Sequence, residues 1–340
     1  MAKKSKNSGR KAAKSSPDGS GGASFIPKAG YSANNRKSCS PAKERRFILE
    51  TLLGVGGICE VYSALDLRRV EWGDANPRVA VKRLRPDLAD NPQARLLLAQ
   101  EYYVLRHLAH PGVVRVFDLH KEPFGVCFSM ELLEGRTAHA MLGEHPNGLG
   151  GMAASPGFAL FDVLAFLHGK GVVHGDVKPS NIFVTLEGRI ALLDFNTATV
   201  TPRHGAACSP ITQGLRENLR LPSYSLCYAS PQRLQGGTPS MADDIYAACC
   251  AFYEIASGVH PFGKRSSHEA MENGIPLQRP PGLTFPQWTL LRRGLSFDAG
   301  LRPNPENFRE VFADKGPLSG LTQLVAILPF FNKGDSHAVA

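Results

Sequence analysis

Between Phe47 and Met130, short apolar runs alternate with polar and glycine-rich breaks, a pattern of strands rather than long helices. Phe47-Ile-Leu-Glu-Thr-Leu-Leu53, Glu60-Val-Tyr-Ser-Ala-Leu65 and Arg78-Val-Ala-Val-Lys82 read as three strands, and Val113–Leu119 and Val126–Met130 as two more. One stretch departs from this. Asn91–Leu108 carries Leu97, Glu101, Leu105 and Leu108 on a single helical face, with Asp90 or Asn91 as N-cap and Pro92 in the first helical position. Five strands and one helix make a small lobe over residues 47–134. From Gly135 the apolar spacing becomes mainly helical, as in Phe158–Leu167, and predicts a larger helical lobe over residues 135–316. The fold class expected is α+β, in two lobes, with no internal repeat.

Residues 1–46 lack this patterning. They hold nine serines and twelve Lys/Arg against two acids, Asp18 and Glu44. Such a segment buries too little apolar surface to offset its ordering entropy, so it is expected to be disordered. The whole chain has 340 residues, 39 Lys+Arg, 30 Asp+Glu and a net charge of +9. Removing the arm leaves 27 bases against 28 acids, so residues 47–340 carry −1 and the basic surplus belongs to the arm. The arm is read as solubilising, as a self-phosphorylated segment, or as a contact for acidic partners or nucleic acid.

The apolar content, 43%, is ample for a core. The longest apolar stretch considered, Leu321–Phe331 within a C-terminal extension over 317–340, is too short to span a membrane and is expected to pack on the large lobe. The basic N-terminus has no apolar region of a secretory signal. Seven cysteines without C-x-x-C spacing point to reduced thiols and a cytoplasmic location.

Candidate chemistry lies in three places. Gly54-Val-Gly56-Gly57 joins two predicted strands, where glycine lets backbone N–H groups approach a polyphosphate. Lys82 sits on a strand whose alternate residues face a core, so it needs a buried anion, and Glu101 on the helix face can supply it. His174-Gly175-Asp176-Val-Lys178-Pro-Ser-Asn181 follows the apolar helix, and Leu193-Asp194-Phe195-Asn196 comes after a hairpin around Glu187-Gly188. In this set Asp176 can accept a hydroxyl proton, Lys178 can neutralise a transferred phosphoryl group, and Asn181 and Asp194 can hold a hard metal ion.

Taken in order, these motifs resemble the eukaryotic-like (Hanks-type) serine/threonine protein kinases over about Phe47–Phe312, most like bacterial members. The resemblance implies a bilobal kinase fold, ATP and Mg²⁺ (or Mn²⁺), and protein substrates with Ser or Thr acceptors. It places Val61, Ala80 and Phe183 around the adenine, Met130 as gatekeeper, and Glu131-Leu132-Leu133 as the hinge. It makes His174, Phe195 and Leu105 parts of a spine linking the lobes. Asp244 becomes the anchor of the catalytic loop, and Arg302 the late arginine of the fold. Lys178, with Ser225 in the acceptor-binding loop, favours Ser/Thr over Tyr.

Four positions depart from the family pattern. Cys59 replaces the third loop glycine, a mild change. Gly175 replaces the arginine that ties down a phosphorylated activation loop, which predicts activity independent of that phosphorylation. Asn196 replaces a glycine and is expected to keep the turn by tolerating a left-handed backbone. Gln232 replaces a glutamate and can hydrogen-bond Arg302 but not pair with it ionically. These departures leave open a pseudokinase scaffold, and the His-Gly-Asp run leaves open a small-molecule kinase of the aminoglycoside or choline type. Autophosphorylation is expected in the arm serines, and Thr197, Thr199, Thr201, Ser209, Thr212, Ser223 and Ser225 are further candidates.

Overall fold

A computed structural model of the chain describes residues 45–200 and 225–313. The arm up to residue 44, the candidate acceptors Thr201, Ser209, Thr212 and Ser223, and the segment Leu321–Phe331 lie outside the described residues.

The small lobe is a five-stranded antiparallel sheet in the order β1-β2-β3-β5-β4. Its strands are β1 (Phe47–Val55), β2 (Cys59–Asp66), β3 (Arg78–Leu84), β4 (Val116–Glu122) and β5 (Gly125–Met130). β4 begins three residues later than the apolar pattern predicts. Val113 and Val114 are buried, but Val113 makes a parallel bridge to Leu192 of the other lobe instead of joining the sheet. Their apolar character reflects burial between lobes, which alternation cannot distinguish from a strand.

A short helix, α1 (Leu67–Glu71), interrupts the β2–β3 connection. The sequence did not announce it because it buries no residue and so has no periodic face. It starts on Asp66, whose side chain accepts from the Arg68 N–H. The same carboxylate receives the Arg46 guanidinium at 2.8 Å, so Arg46, grouped above with the arm, packs on the sheet. α2 (Pro92–Leu105) begins where expected. Asn91, not Asp90, caps it, its side-chain oxygen accepting from the N–H groups of Gln93 and Ala94. Asp90 pairs with Arg95 instead. Leu97, Glu101 and Leu105 are buried on the predicted face, and the last three residues of the expected span form a turn.

The large lobe is helical, with one addition. Beside α3 (Ala138–Glu144), a three-stranded sheet of β6 (Gly135–Thr137), β8 (Ile182–Thr185) and β9 (Ile190–Leu192) carries the hairpin around Gly188. A two-residue strand, β7 (Val172–Val173), pairs with β10 (Thr199–Val200). α4 (Ala154–Gly169) is longer than the predicted Phe158–Leu167. With the turn before it, this stretch is apolar and long enough to meet the composition of a membrane span, yet Phe161, Leu164 and Leu167 are buried in the lobe core.

After α5 (Pro231–Leu234) comes α6 (Met241–Ser257), buried along nearly its whole length. The remaining helices, α7 (Ser267–Glu272), α8 (Phe285–Gly294) and α9 (Pro305–Phe312), surround it. Phe308 of α9 stacks on Phe161 of α4, ring centroids 3.9 Å apart. One apolar cluster runs from Ile58 and Leu97 in the small lobe, through Phe195, to Tyr246 and Phe308 in the large one. A second, smaller cluster of Phe47, Val79, Val81 and Cys127 covers the other sheet face.

Candidate active site

The glycine-rich loop is the tight β1–β2 connection, closed by Gly56 N–H donating to Cys59 O at 2.7 Å. None of Gly54, Gly56 and Gly57 has a positive φ. Glycine is therefore not needed there for a left-handed turn, and its small size suits close approach of the backbone to a ligand. Cys59 is already in β2, paired with Leu84. Burial pushes its thiol up to about 12, so it is a neutral side chain beside the loop.

Lys82 lies on β3 opposite Val61 and Phe128. Its Nζ is 2.7 Å from Glu101 Oε1 and 2.9 Å from Asp194 Oδ1. One buried cation is shared by a helix of the small lobe and the loop after β9. Burial alone would lower the Lys82 pKa, but Asp194 and Glu101 outweigh it and raise it. Burial likewise works against the Asp194 carboxylate, and Lys82 overrides it and holds that group below its ordinary value. Glu101 is raised by burial despite Lys82. The Phe195 N–H also donates to Glu101 Oε1, at 3.1 Å, so the helix is bonded both to the cation and to the backbone after Asp194.

The second group forms a closed net. Lys178 Nζ donates to Asp176 Oδ2 at 2.7 Å and to Ser225 Oγ at 2.9 Å, and the Ser225 N–H donates to Asp176 Oδ1 at 3.0 Å. Asn181 Nδ2 donates to Asp176 O at 2.8 Å and more weakly to Oδ2 at 3.3 Å. Asp244 holds this loop from α6: its carboxylate accepts from the N–H groups of His174 and Gly175, each at 2.8 Å, and from His168 Nε2 at 3.0 Å. His174 is fully buried, bonds Leu193 O through Nε2 and packs edge-on to Phe195. The two groups meet where Leu193 N–H donates to Asn181 O at 2.9 Å.

Between the lobes lies a cleft of about 410 Å³. Val61, Ala80, Met130 and Phe183 line its apolar end with Glu131 and Leu133, while Lys82, Glu101, Lys178, Asn181 and Asp194 line the polar end with the glycine loop. Asp176 lines an adjoining small cavity together with Ser225 and Tyr228. Sequence reasoning missed Leu53, Val114 and Gly135 in the cleft wall. Leu53 and Val114 read as ordinary core. Gly135 carried a usable signal, since its φ of +152 and the 2.1 Å approach of an added Cβ to Val184 O both require glycine.

The donor set suits a hard cation. The amide nitrogen of Asn181 is fixed toward Asp176, which turns its oxygen the other way, and Asn181 and Asp194 line the same polar end. Two oxygen donors with room for phosphate oxygens and water match Mg²⁺.

Three of the departures resolve structurally. Gly175 has φ +83, and an added Cβ would stand 3.1 Å from Thr197 O. The left-handed residue of the loop after β9 is Asp194, with φ +61, and not Asn196, which lies in the one-turn helix Phe195–Thr197. The expectation that Asn196 keeps the turn by adopting a left-handed backbone is corrected: it has no positive φ. Gln232 Oε1 accepts from Arg302 Nη2 at 2.6 Å, as expected, and its Nε2 donates to Phe297 O. The carboxylate near Arg302 is Asp243, at 3.6 Å.

Residues 47–291 match the family model described as protein kinase domain. Among curated proteins, the chain is 30% identical over 272 residues to the serine/threonine-protein kinase PkaA of Streptomyces coelicolor, covering 77% of this chain and 48% of that one. It is 30% identical over 221 residues to the probable serine/threonine-protein kinase PknB of Corynebacterium glutamicum, covering 64% and 32%. It is 27% identical over 236 residues to the serine/threonine-protein kinase PknD of Chlamydia felis, covering 64% and 25%. The chain thus matches about half or less of the length of these relatives.

Proposed function

The chain belongs to the protein kinase family, and on that premise we propose that it uses ATP with Mg²⁺ (or Mn²⁺) to phosphorylate Ser or Thr hydroxyls of proteins. The observation that carries this reading is the convergence of two bonded groups, Lys82–Glu101–Asp194 and Asp176–Lys178–Asn181, at one end of an apolar cleft. Phosphoryl transfer through a loose transition state needs positioning and charge neutralisation more than covalent chemistry, and these groups offer both.

In this reading the adenine enters between Val61, Ala80 and Phe183, and Lys82, steadied by Glu101, meets the non-transferred phosphates. Mg²⁺ bound by Asn181 and Asp194 would neutralise charge on the phosphate oxygens. The acceptor hydroxyl approaches Asp176. As its oxygen bonds to the γ-phosphorus and the bond to the departing nucleoside diphosphate breaks, Asp176 takes the hydroxyl proton. Lys178 lies 2.7 Å from Asp176 and offsets charge on the transferring group. The free thiols Cys59, Cys127, Cys227, Cys249 and Cys250 support a reducing, cytoplasmic setting. The basic arm is read as a self-substrate or as a contact for acidic partners.

The test is incorporation of the γ-phosphate of ATP into a generic basic protein. The Asp176→Ala variant is expected to lose roughly 10²–10⁴ of the rate. Equal incorporation by variant and wild type would overturn the reading.

A further inference from the structure

We infer that Arg189 is a positioning residue for the cleft: it locks the hinge residue Glu131 in a binding-ready geometry without touching the ligand. The inference rests on reading the cleft as a nucleotide site. Arg189 stands at the foot of β9, where hairpin closure fixes its backbone: its N–H donates to Thr185 Oγ1 at 3.1 Å and its carbonyl accepts from the Thr185 N–H at 2.8 Å. From there the guanidinium reaches two other elements. Nη1 donates to Pro111 O at 2.7 Å, in the loop after α2, and Nη1 and Nη2 each reach a different carboxylate oxygen of Glu131 at 3.4 Å.

Glu131 is tied to the small lobe at the same time. Its N–H donates to Arg115 O at 2.8 Å, and its Oε1 accepts from the Arg115 N–H at 3.0 Å. The hinge residue is therefore held by its backbone from the small lobe and by its side chain from both lobes. Glu131 lines the cleft, whereas Arg189 does not. A half-exposed ion pair of this kind adds little to stability. Its value lies in orientation, because a segment already ordered before binding need not be ordered by the ligand. The fork matters, since a lysine offers a point charge and cannot reach both oxygens and the Pro111 carbonyl.

The experiment measures ATP dissociation constants by direct titration without acceptor, and KM against kcat in the transfer assay. The proteins are the full chain, Arg189→Ala, Arg189→Lys, Glu131→Gln and the double variant Arg189→Ala/Glu131→Gln. Arg189→Ala is expected to raise Kd and KM for ATP about three- to fivefold with kcat within about twofold, and Arg189→Lys to fall between it and wild type. Glu131→Gln loses the ion pair but keeps the Arg189 bond to Pro111 O, so its effect should be no larger than that of Arg189→Ala, and the double variant should be no worse than Arg189→Ala, which has already lost the pair. Unchanged ATP affinity in Arg189→Ala, or additive effects in the double variant, would overturn the inference. A wild type that binds ATP but transfers no phosphate would overturn the kinase reading alone, and the Kd comparison would still decide the role of Arg189. A wild type that does not bind ATP would overturn both.

Discussion

Lys82 is shared between two carboxylates at 2.7 and 2.9 Å, and Glu101 is almost wholly buried. Removing the cation leaves two like charges without the partner they share, one of them buried. Lys82→Met is expected to abolish transfer and to destabilise the fold by roughly 3 kcal/mol, read from urea midpoints. Lys82→Met/Glu101→Met should regain part of that stability and none of the activity, because an apolar pair replaces a broken one. Asp244 gives a prediction in pH. Burial alone would raise its carboxyl, but His168, His174 and the Gly175 N–H outweigh burial and hold it below the ordinary value. A lowered carboxylate adds stability that is complete above the unfolded value near ~3.9 and is lost as pH falls through the folded value. Asp244→Asn should therefore destabilise at pH 7 and flatten the acid limb of the unfolding midpoints between about pH 5 and pH 2. Lys82 and Glu101 were legible because an ionisable residue inside an apolar pattern demands a partner, and Asp176 and Asp194 because they sit in the His174–Asn181 and Leu193–Asn196 motifs. Arg189 was not, since a charge beside a hairpin turn looks solvated until Glu131 and Pro111 are brought to it.

At the scale of elements, the ends of the segment between the loop after β9 and α5 are fastened to the loop His174–Asn181. Thr197 Oγ1 donates to His174 O at 2.7 Å, β10 pairs with β7, and Ser225 bonds both Asp176 and Lys178. These bonds are made with glycine at position 175 and need no phosphate. The phosphatase-treated protein is accordingly expected to keep its initial transfer rate within about twofold, in an assay short enough to exclude rephosphorylation; a loss of tenfold or more would show that phosphate is required. Restoring a side chain at Gly175 should not help, because φ is +83 and Thr197 O stands 3.1 Å from the added Cβ. Gly175→Ala is expected to cost about 1 kcal/mol or more in urea unfolding. Element-level reading succeeded where local chemistry and packing agreed, as at α2, with Asn91 as cap, Pro92 in the first turn and Leu97 and Leu105 inward. It failed at α1, which buries nothing, and at the start of β4, where Val113 is buried by the other lobe rather than by its own sheet.

For the molecule as a whole, the apolar cluster continuous through Phe195 and the bonds from Lys82 and Glu101 to the Asp194 loop tie the two lobes together beside the cleft. A ligand that binds only the folded protein stabilises it by mass action, by about 2.7 kcal/mol at a hundredfold excess over Kd. ATP should thus raise the thermal midpoint of the wild type, and of Asp176→Ala equally, since Asp176 lies outside the cleft wall. Equal shifts with unequal transfer would separate binding from chemistry. The charge distribution permits a similar separation. Twelve bases and two acids lie in residues 1–46, while residues 47–340 are nearly neutral at −1. A polyanion contact made by the arm should therefore be strongly salt-dependent, and acceptor binding beside Asp176 should not share that dependence. Deleting residues 1–42 removes nine of the twelve bases and leaves Arg46 on Asp66. The truncated protein is expected to leave a heparin column at markedly lower salt than the full chain, with kcat/KM for a short neutral peptide within about twofold. Elution at the same salt would assign polyanion affinity to the folded body, and a collapse of peptide phosphorylation would make the arm part of the catalytic unit.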